Sequence, residues 1–327
     1  EWGSNNFMHS RGEVRSFLQS CANYWLRTFH FDGLRMDAIS RIIYWHGDEK
    51  RGVNGNAVDF IKYMNQGLKD RNPGCFLAAE DSTNFSNVTK SVSEGGLGFD
   101  YKWDMGWMHD TLSYFQMSPD DRYNNYHKLT FSMMYYYNEK FLLPLSHDEV
   151  VHGKATILQK MYGDYDIKFP QARAFYMYMM VHPGKKLNFM GNELGQFREW
   201  DEKREQDFML LDFPIHRAFN NYIADLNKNY LSHPAFFGKE YDYDGFKWLD
   251  CNSPDRLMYS ILREDNKSRI FAIFNFSKYE QIDYRIELPD NKGVNILMNS
   301  DWKCYGGNAD ENNVFWHIDG NTLTCTM

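Results

Sequence analysis

The sequence contains no basic run, no Cys-x-x-Cys pair, no apolar stretch of membrane-spanning length, no internal repeat and no low-complexity tract. Each absence removes a class of function. Nucleic-acid binding draws most of its affinity from clustered Lys and Arg, and a chain with a formal net charge of −8 and a pI near 5.8 lacks that footprint. The five cysteines (Cys21, Cys75, Cys251, Cys304 and Cys325) are odd in number and widely spaced. They suggest neither a disulfide framework nor a zinc site and fit a reducing cytoplasm. With no charged-then-apolar leader and no span of roughly 20 apolar residues, this stretch supports neither secretion nor membrane insertion.

What is present is a chain of 327 residues, 43% hydrophobic, long enough to bury a large core and to divide into two domains. Aromatic residues make up 17%, a high share most of which ordinary core packing accounts for, and Trp and Tyr offer flat faces suited to sugar rings. From residue 12 to about 230, helical stripes alternate with short apolar strands, the signature of a parallel α/β sheet. Val14, Phe17, Leu18, Cys21 and Trp25 lead into a strand from Phe31 to Asp37. Ala57, Phe60, Ile61, Met64 and Leu68 end at the breaker Asn72-Pro73-Gly74 and deliver a strand from Cys75 to Glu80. Leu97 to Trp103, Phe141 to Ser146 and Lys186 to Met190 complete five strands. Beyond residue 233 the pattern turns to period two, with runs at 256–263, 269–277, 281–288, 294–299 and 314–318, which read as an antiparallel sandwich. The expected division is an α/β domain over 1–232 and a β-domain over 233–327.

Polar groups gather at the C-terminal ends of the parallel strands: Arg35 and Asp37, Glu80 and Asp81, Asp104, then His147, Asp148 and Glu149, and finally Asn192 and Glu193. In a barrel of parallel strands that end carries the active site. A pair of carboxylates flanking a glycosidic bond can form a covalent glycosyl ester with one member while the other protonates the leaving oxygen. Arg35, on the strand face of Asp37, helps keep that carboxylate ionised, and the apolar run before Glu80 raises the pKa of a general acid. Asp148, with His147 beside it, suits a group that holds sugar hydroxyls and favours the oxocarbenium-like transition state.

Phe31-Asp32-Gly33-Leu34-Arg35-Met36-Asp37-Ala38, Leu77-Ala78-Ala79-Glu80 and Leu145-Ser146-His147-Asp148 resemble three motifs of the alpha-amylase superfamily in order and spacing. Narrower runs resemble the bacterial-type branching enzymes: Trp2-Gly3, the segment Gly95 to Trp103, Trp107 to Leu112, Ser146 to Lys154, and Phe189 to Trp200. The resemblance implies Asp37 as nucleophile, Glu80 as acid/base, Asp148 as transition-state stabiliser, and Arg35 and His147 as ligands of the bound glucose. Trp103 and Asp104 join them as substrate-binding residues. It further implies a (β/α)8 TIM barrel of which strands four to eight are present, followed by an all-β C-terminal sandwich. The motif of strand three and an N-terminal β-domain are missing, so a barrel that cannot close and an inactive fragment are expected. The implied substrate is an alpha-1,4-glucan such as glycogen or amylose, with no cofactor, no metal, no nucleic acid and no membrane, in the cytoplasm. Asp207-Phe208 departs from the Asp-Trp pair that is more usual there.

Three other readings compete. Metal catalysis draws on His147 and His152, whose spacing does not match a helical zinc-binding pair. A hydrolase or another glucanotransferase shares the three carboxylates and is separated only by the narrower runs. A non-catalytic glucan-binding protein would not need Asp37, Glu80 and Asp148 together.

Overall fold

Each apolar run that ends in charge folds as a short parallel strand. The computed structural model describes residues 5–253, 255–290 and 293–327, so Trp2-Gly3 lies outside the described residues. In chain order the first elements are α1 (Gly12–Thr28), β1 (Gly33–Met36), α2 (Ser40–Ile43), α3 (Gly55–Arg71), β2 (Phe76–Ala79), β3 (Tyr101–Trp103), α4 (Met105–Gln116) and α5 (Pro119–Arg122). There follow β4 (Phe141–Leu145), α6 (Ile157–Lys160), α7 (Tyr165–Val181), β5 (Lys185–Asn188) and α8 (Pro214–Ser232). The parallel strands are ordered β1-β2-β3-β4-β5, so each is laid beside its predecessor in the chain. β1 and β5 are half-buried along their whole length, whereas β2, β3 and β4 are mostly buried. This gradient is that of a sheet with two open edges, and among the described residues five parallel strands are present.

By compactness the chain separates into one unit reaching to Gly106 together with Met133–Leu142, and a second formed by Trp107–Ser132 and Leu143–Met327. In the first, α3 buries the expected stripe of Ala57, Phe60, Ile61, Met64 and Leu68, and the Asn54 side chain caps it by accepting from the Ala57 N–H. α1 forms as expected, yet Phe17 and Trp25 on its apolar stripe are exposed, and Gln19 and Leu26 are its buried residues. Periodicity alone specifies the helix, while burial also needs a surface to cover the stripe. The strand expected over Leu97–Trp103 is confined to Tyr101–Trp103, because Gly98 adopts a left-handed φ of 82° that breaks the extended run.

The second unit carries six antiparallel strands: β6 (Phe246–Ser253), β7 (Met258–Glu264), β8 (Arg269–Asn275), β9 (Tyr284–Glu287), β10 (Trp316–Asp319) and β11 (Thr322–Cys325). They form two three-stranded sheets, β6-β7-β8 and β10-β11-β9. Met258, Tyr284, Ile286, Leu288, Leu323 and Cys325 share one core, with Phe271 and Ile273 packed against it, which is a small sandwich. The expected strand over residues 294–299 does not form; the segment finds no ladder partner, and Ile296 and Leu297 stay exposed. Arg263 of β7, fully buried, donates to the carbonyls of Gly245, Val181 and Phe236, tying β7 to the end of α7. Among the described residues, no helix is long and apolar enough to cross a membrane.

Candidate active site

The register of β1 and β2 decides which side chains meet. Arg35 lies opposite Ala78 and Met36 opposite Ala79, so the residues just past the two strand ends, Asp37 and Glu80, come out side by side. The Glu80 N–H donates to the Met36 carbonyl at 3.0 Å, and the Ile39 N–H donates to the Glu80 carbonyl at 3.0 Å, extending the pairing through the turn. Ala38 takes a left-handed φ of 41°, an uncommon conformation for a residue with a Cβ. That turn aims its N–H at Glu80 Oε2, 3.1 Å away.

One guanidinium nitrogen of Arg35, Nη2, binds Asp37 Oδ1 at 2.7 Å and also Glu80 Oε2. Two oxygens touching one nitrogen cannot be far apart, so the contacting oxygens of the two carboxyls lie close together. The environments of the pair differ: the Asp37 side chain is 77% exposed and that of Glu80 only 20%. Burial, first of all, lifts the Glu80 carboxyl above its ordinary pKa; the Ala38 N–H opposes this, a hydrogen bond with Asp37 adds to it, and Arg35 again opposes it. The arrangement sets one exposed carboxyl beside one that is half-buried and shifted upward.

Of the other residues expected here, Trp103 is buried, and its ring carries the Arg35 guanidinium, with 4.2 Å from the guanidinium carbon to the ring centroid. Asp104 is also buried and accepts from the Tyr135 hydroxyl at 2.7 Å. Asp81, beside Glu80 in sequence, turns away from it: its wholly buried carboxylate takes Lys102 Nζ at 2.8 Å and the Thr83 hydroxyl at 2.9 Å.

Asp37 and Glu80 belong to the first compact unit, His147 and Asp148 to the second. There the end of β4 is closed by a capping box, in which Ser146 Oγ accepts from the Asp148 N–H at 3.1 Å and Glu149 accepts from the Ser146 N–H at 2.6 Å. Glu149 is spent on this cap and buried, so it is not presented as a site group. His147 Nε2 lies 3.4 Å from Asp148 Oδ1, both side chains being partly exposed, and the imidazole sits against Phe189 and Trp200. Asn192 is buried and Glu193 accepts from the Gly191 N–H, so both shape the turn after β5.

Three contributors were given no role at the sequence level, although Lys154 and Glu199 lie in the runs singled out there. Lys154 Nζ holds the Asp148 carbonyl at 2.8 Å. Glu199 accepts from the N–H groups of Gly153 at 2.9 Å and Ala155 at 2.7 Å, pinning a loop in which His152, Gly153 and Ala155 all have positive φ. Lys160 binds the carbonyls of Glu149 and Ala155, and burial lowers its pKa to about 8. A carboxylate that reaches 46 positions along the chain to a backbone N–H leaves no local signal in sequence.

A 1,4-alpha-glucan branching enzyme of Bacillus cereus is 42% identical over 313 residues, covering 95% of this chain and 48% of the relative. One from Bacillus thuringiensis subsp. konkukian matches to the same extent. The chain spans about half the length of these curated relatives. Residues 248–327 match the family model described as alpha amylase, C-terminal all-beta domain. Among solved structures, a Nostoc punctiforme debranching enzyme superposes with a TM-score of 0.63 at 17% identity, covering 88% of this chain and 56% of the other. An alpha-amylase from Geobacillus thermoleovorans, complexed with acarbose, gives 0.58 at 16%, covering 87% and 58%. At such identities these two likenesses speak for the fold alone.

Proposed function

We propose that this chain, a homologue of the bacterial 1,4-alpha-glucan branching enzymes, carries the chemical centre of a branching reaction on alpha-1,4-glucans. The single observation that carries the reading is the Arg35-bridged pair of Asp37 and Glu80, one exposed and one half-buried with a raised pKa. Asp37 attacks the anomeric carbon of an alpha-1,4-linked glucose while Glu80 gives its proton to the departing glycosidic oxygen, leaving a glycosyl ester on Asp37. Glu80, now a carboxylate, takes the proton from the 6-hydroxyl of a second glucan; that oxygen displaces Asp37 and forms an alpha-1,6 branch with net retention.

Arg35 and His147 are assigned to the sugar's hydroxyls, with Trp103 and Asp104 contributing to the sugar site, and Asp148 to stabilising positive charge in the transition state. In this reading β1 to β5 are the fourth to eighth strands of a (β/α)8 barrel, with the catalytic domain over 1–232 and a β-domain over 233–327. No metal or redox group enters the scheme. Free cysteines, among them the exposed Cys21 and Cys304, accord with a reducing cytoplasm. The test is to incubate amylose with a chain extended to the relatives' full length and count new alpha-1,6 linkages against new reducing ends. Branch points formed without a matching rise in reducing ends support transfer; reducing ends alone indicate a hydrolase.

A further inference from the structure

Away from the carboxylates, a cavity of about 540 Å³ opens between α1 and α3 in the first unit. Arg15, Gln19 and Asn23 follow one another at four-residue spacing along α1 and face Tyr63 and Arg71, eight residues apart on α3. No lining side chain is acidic and none is aliphatic. Midway between Tyr63 and Arg71 stands Gly67, where a Cβ would fall 2.1 Å from Gln19 Nε2 and 2.7 Å from an Arg71 nitrogen, so the absence of a side chain there makes room for the Gln19 amide and the Arg71 guanidinium.

The polar groups are underused. Arg15 donates through Nε to the His9 carbonyl at 2.8 Å, and Arg71 through Nη1 to the Gly67 carbonyl at 2.8 Å. Among the described residues neither guanidinium is paired with a carboxylate. Gln19 is 92% buried, yet its Nε2 has no hydrogen-bond partner. Two unneutralised guanidiniums and flanking serine hydroxyls make a site complementary to a compact anion with several oxygens. The volume far exceeds a lone phosphate and falls in the range of about 300–1,000 Å³ that holds small organic ligands. The Tyr63 ring, over which the Arg15 guanidinium carbon stands 5.9 Å from the centroid, is half-exposed and offers its open part to the remainder.

We propose that this groove binds the phosphate monoester of a hexose, with the phosphate between Arg15 and Arg71 and the sugar toward Tyr63. The site is separate from the carboxylate pair and does not depend on the reaction proposed for it.

The test is calorimetric titration of the full chain at low salt with glucose 6-phosphate, inorganic phosphate and maltose. Glucose 6-phosphate is expected to bind, inorganic phosphate more weakly, maltose not at all, and added salt should weaken the binding. Ser16→Asp, which sets a carboxylate in the groove without disturbing any core contact, should weaken binding at least tenfold, as should the pair Arg15→Gln with Arg71→Gln. Thermal unfolding confirms that each variant is folded, and Ser16→Asp decides the matter if the double variant is not. Absence of glucose 6-phosphate binding, equal binding to Ser16→Asp, competition by maltose, or inorganic phosphate binding as tightly as the ester would overturn the proposal.

Discussion

Arg35 lies against the indole of Trp103, 4.2 Å from guanidinium carbon to ring centroid, and from that platform a single nitrogen reaches both candidate catalytic carboxyls. Two supports, a flat aromatic face and a planar fork, fix one orientation. A lysine ammonium is compact and hydrated, and it can neither stack on the ring nor bridge two carboxyls in the same way. Arg35→Lys should therefore lower kcat/KM by about a hundredfold, the scale of an ångström-sized misplacement of reacting groups. Steady-state kinetics on amylose in a chain extended to the relatives' length measures it, and near-parental kinetics would remove Arg35 from the positioning role.

The raised pKa of Glu80 fixes the sign of two pH effects. Activity toward a glucan requires the proton on Glu80, so kcat/KM should fall on the alkaline side as pH passes the raised value. With α-glucosyl fluoride, whose leaving group needs no protonation, that alkaline limb should vanish from the first step. For stability, the folded carboxyl keeps its proton to higher pH than the unfolded one. Glu80 thus favours the fold at low pH and loses that contribution as pH rises from the ordinary glutamate range through the folded value. An alkaline limb equally steep with the fluoride would contradict Glu80 as the acid.

The Lys102–Asp81 pair is almost wholly buried, with side chains 6% and 0% exposed. Removing one partner strands the other charge, so Lys102→Met should cost about 3–5 kcal/mol. Adding Asp81→Asn should recover a substantial part, since the neutral amide no longer needs a counter-ion. Urea unfolding of the two single variants and the double gives the coupling directly. If their effects are simply additive, the pair is not the clamp described here.

Much of this was legible because strand ends and apolar runs coincide. Four of the five parallel strands were found to within two residues and β3 at its C-terminal end only, as each compact run stops at polar or charged residues, and Asp37 and Glu80 were picked out as residues at or just beyond such stops. β6 escaped notice: it is a half-buried edge strand whose register shifts between Trp248 and Asp250 and again before Ser253, which scrambles the period-two signal. The segment 294–299 erred the other way, having the alternation without a partner to pair with. At the site, Asp81 and Glu149 looked equivalent to their neighbours in sequence, and only the fold shows that they are spent on Lys102 and on the Ser146 cap. The left-handed turn at Ala38 and the Glu199 clip depend on tertiary contacts that no spacing encodes.

The central claim is that Asp37 becomes covalently glycosylated while Glu80 handles the proton. The most direct measurement uses Glu80→Gln in a chain extended to the relatives' length, incubated with α-glucosyl fluoride, digested and read by mass spectrometry. Fluoride departs without an acid, but release of the ester needs the missing base, so an intermediate should accumulate. The account predicts one added hexose on the peptide that contains Asp37, absent when Asp37→Asn is also present. An adduct on another residue, or fluoride released with inversion and no ester at all, would contradict it.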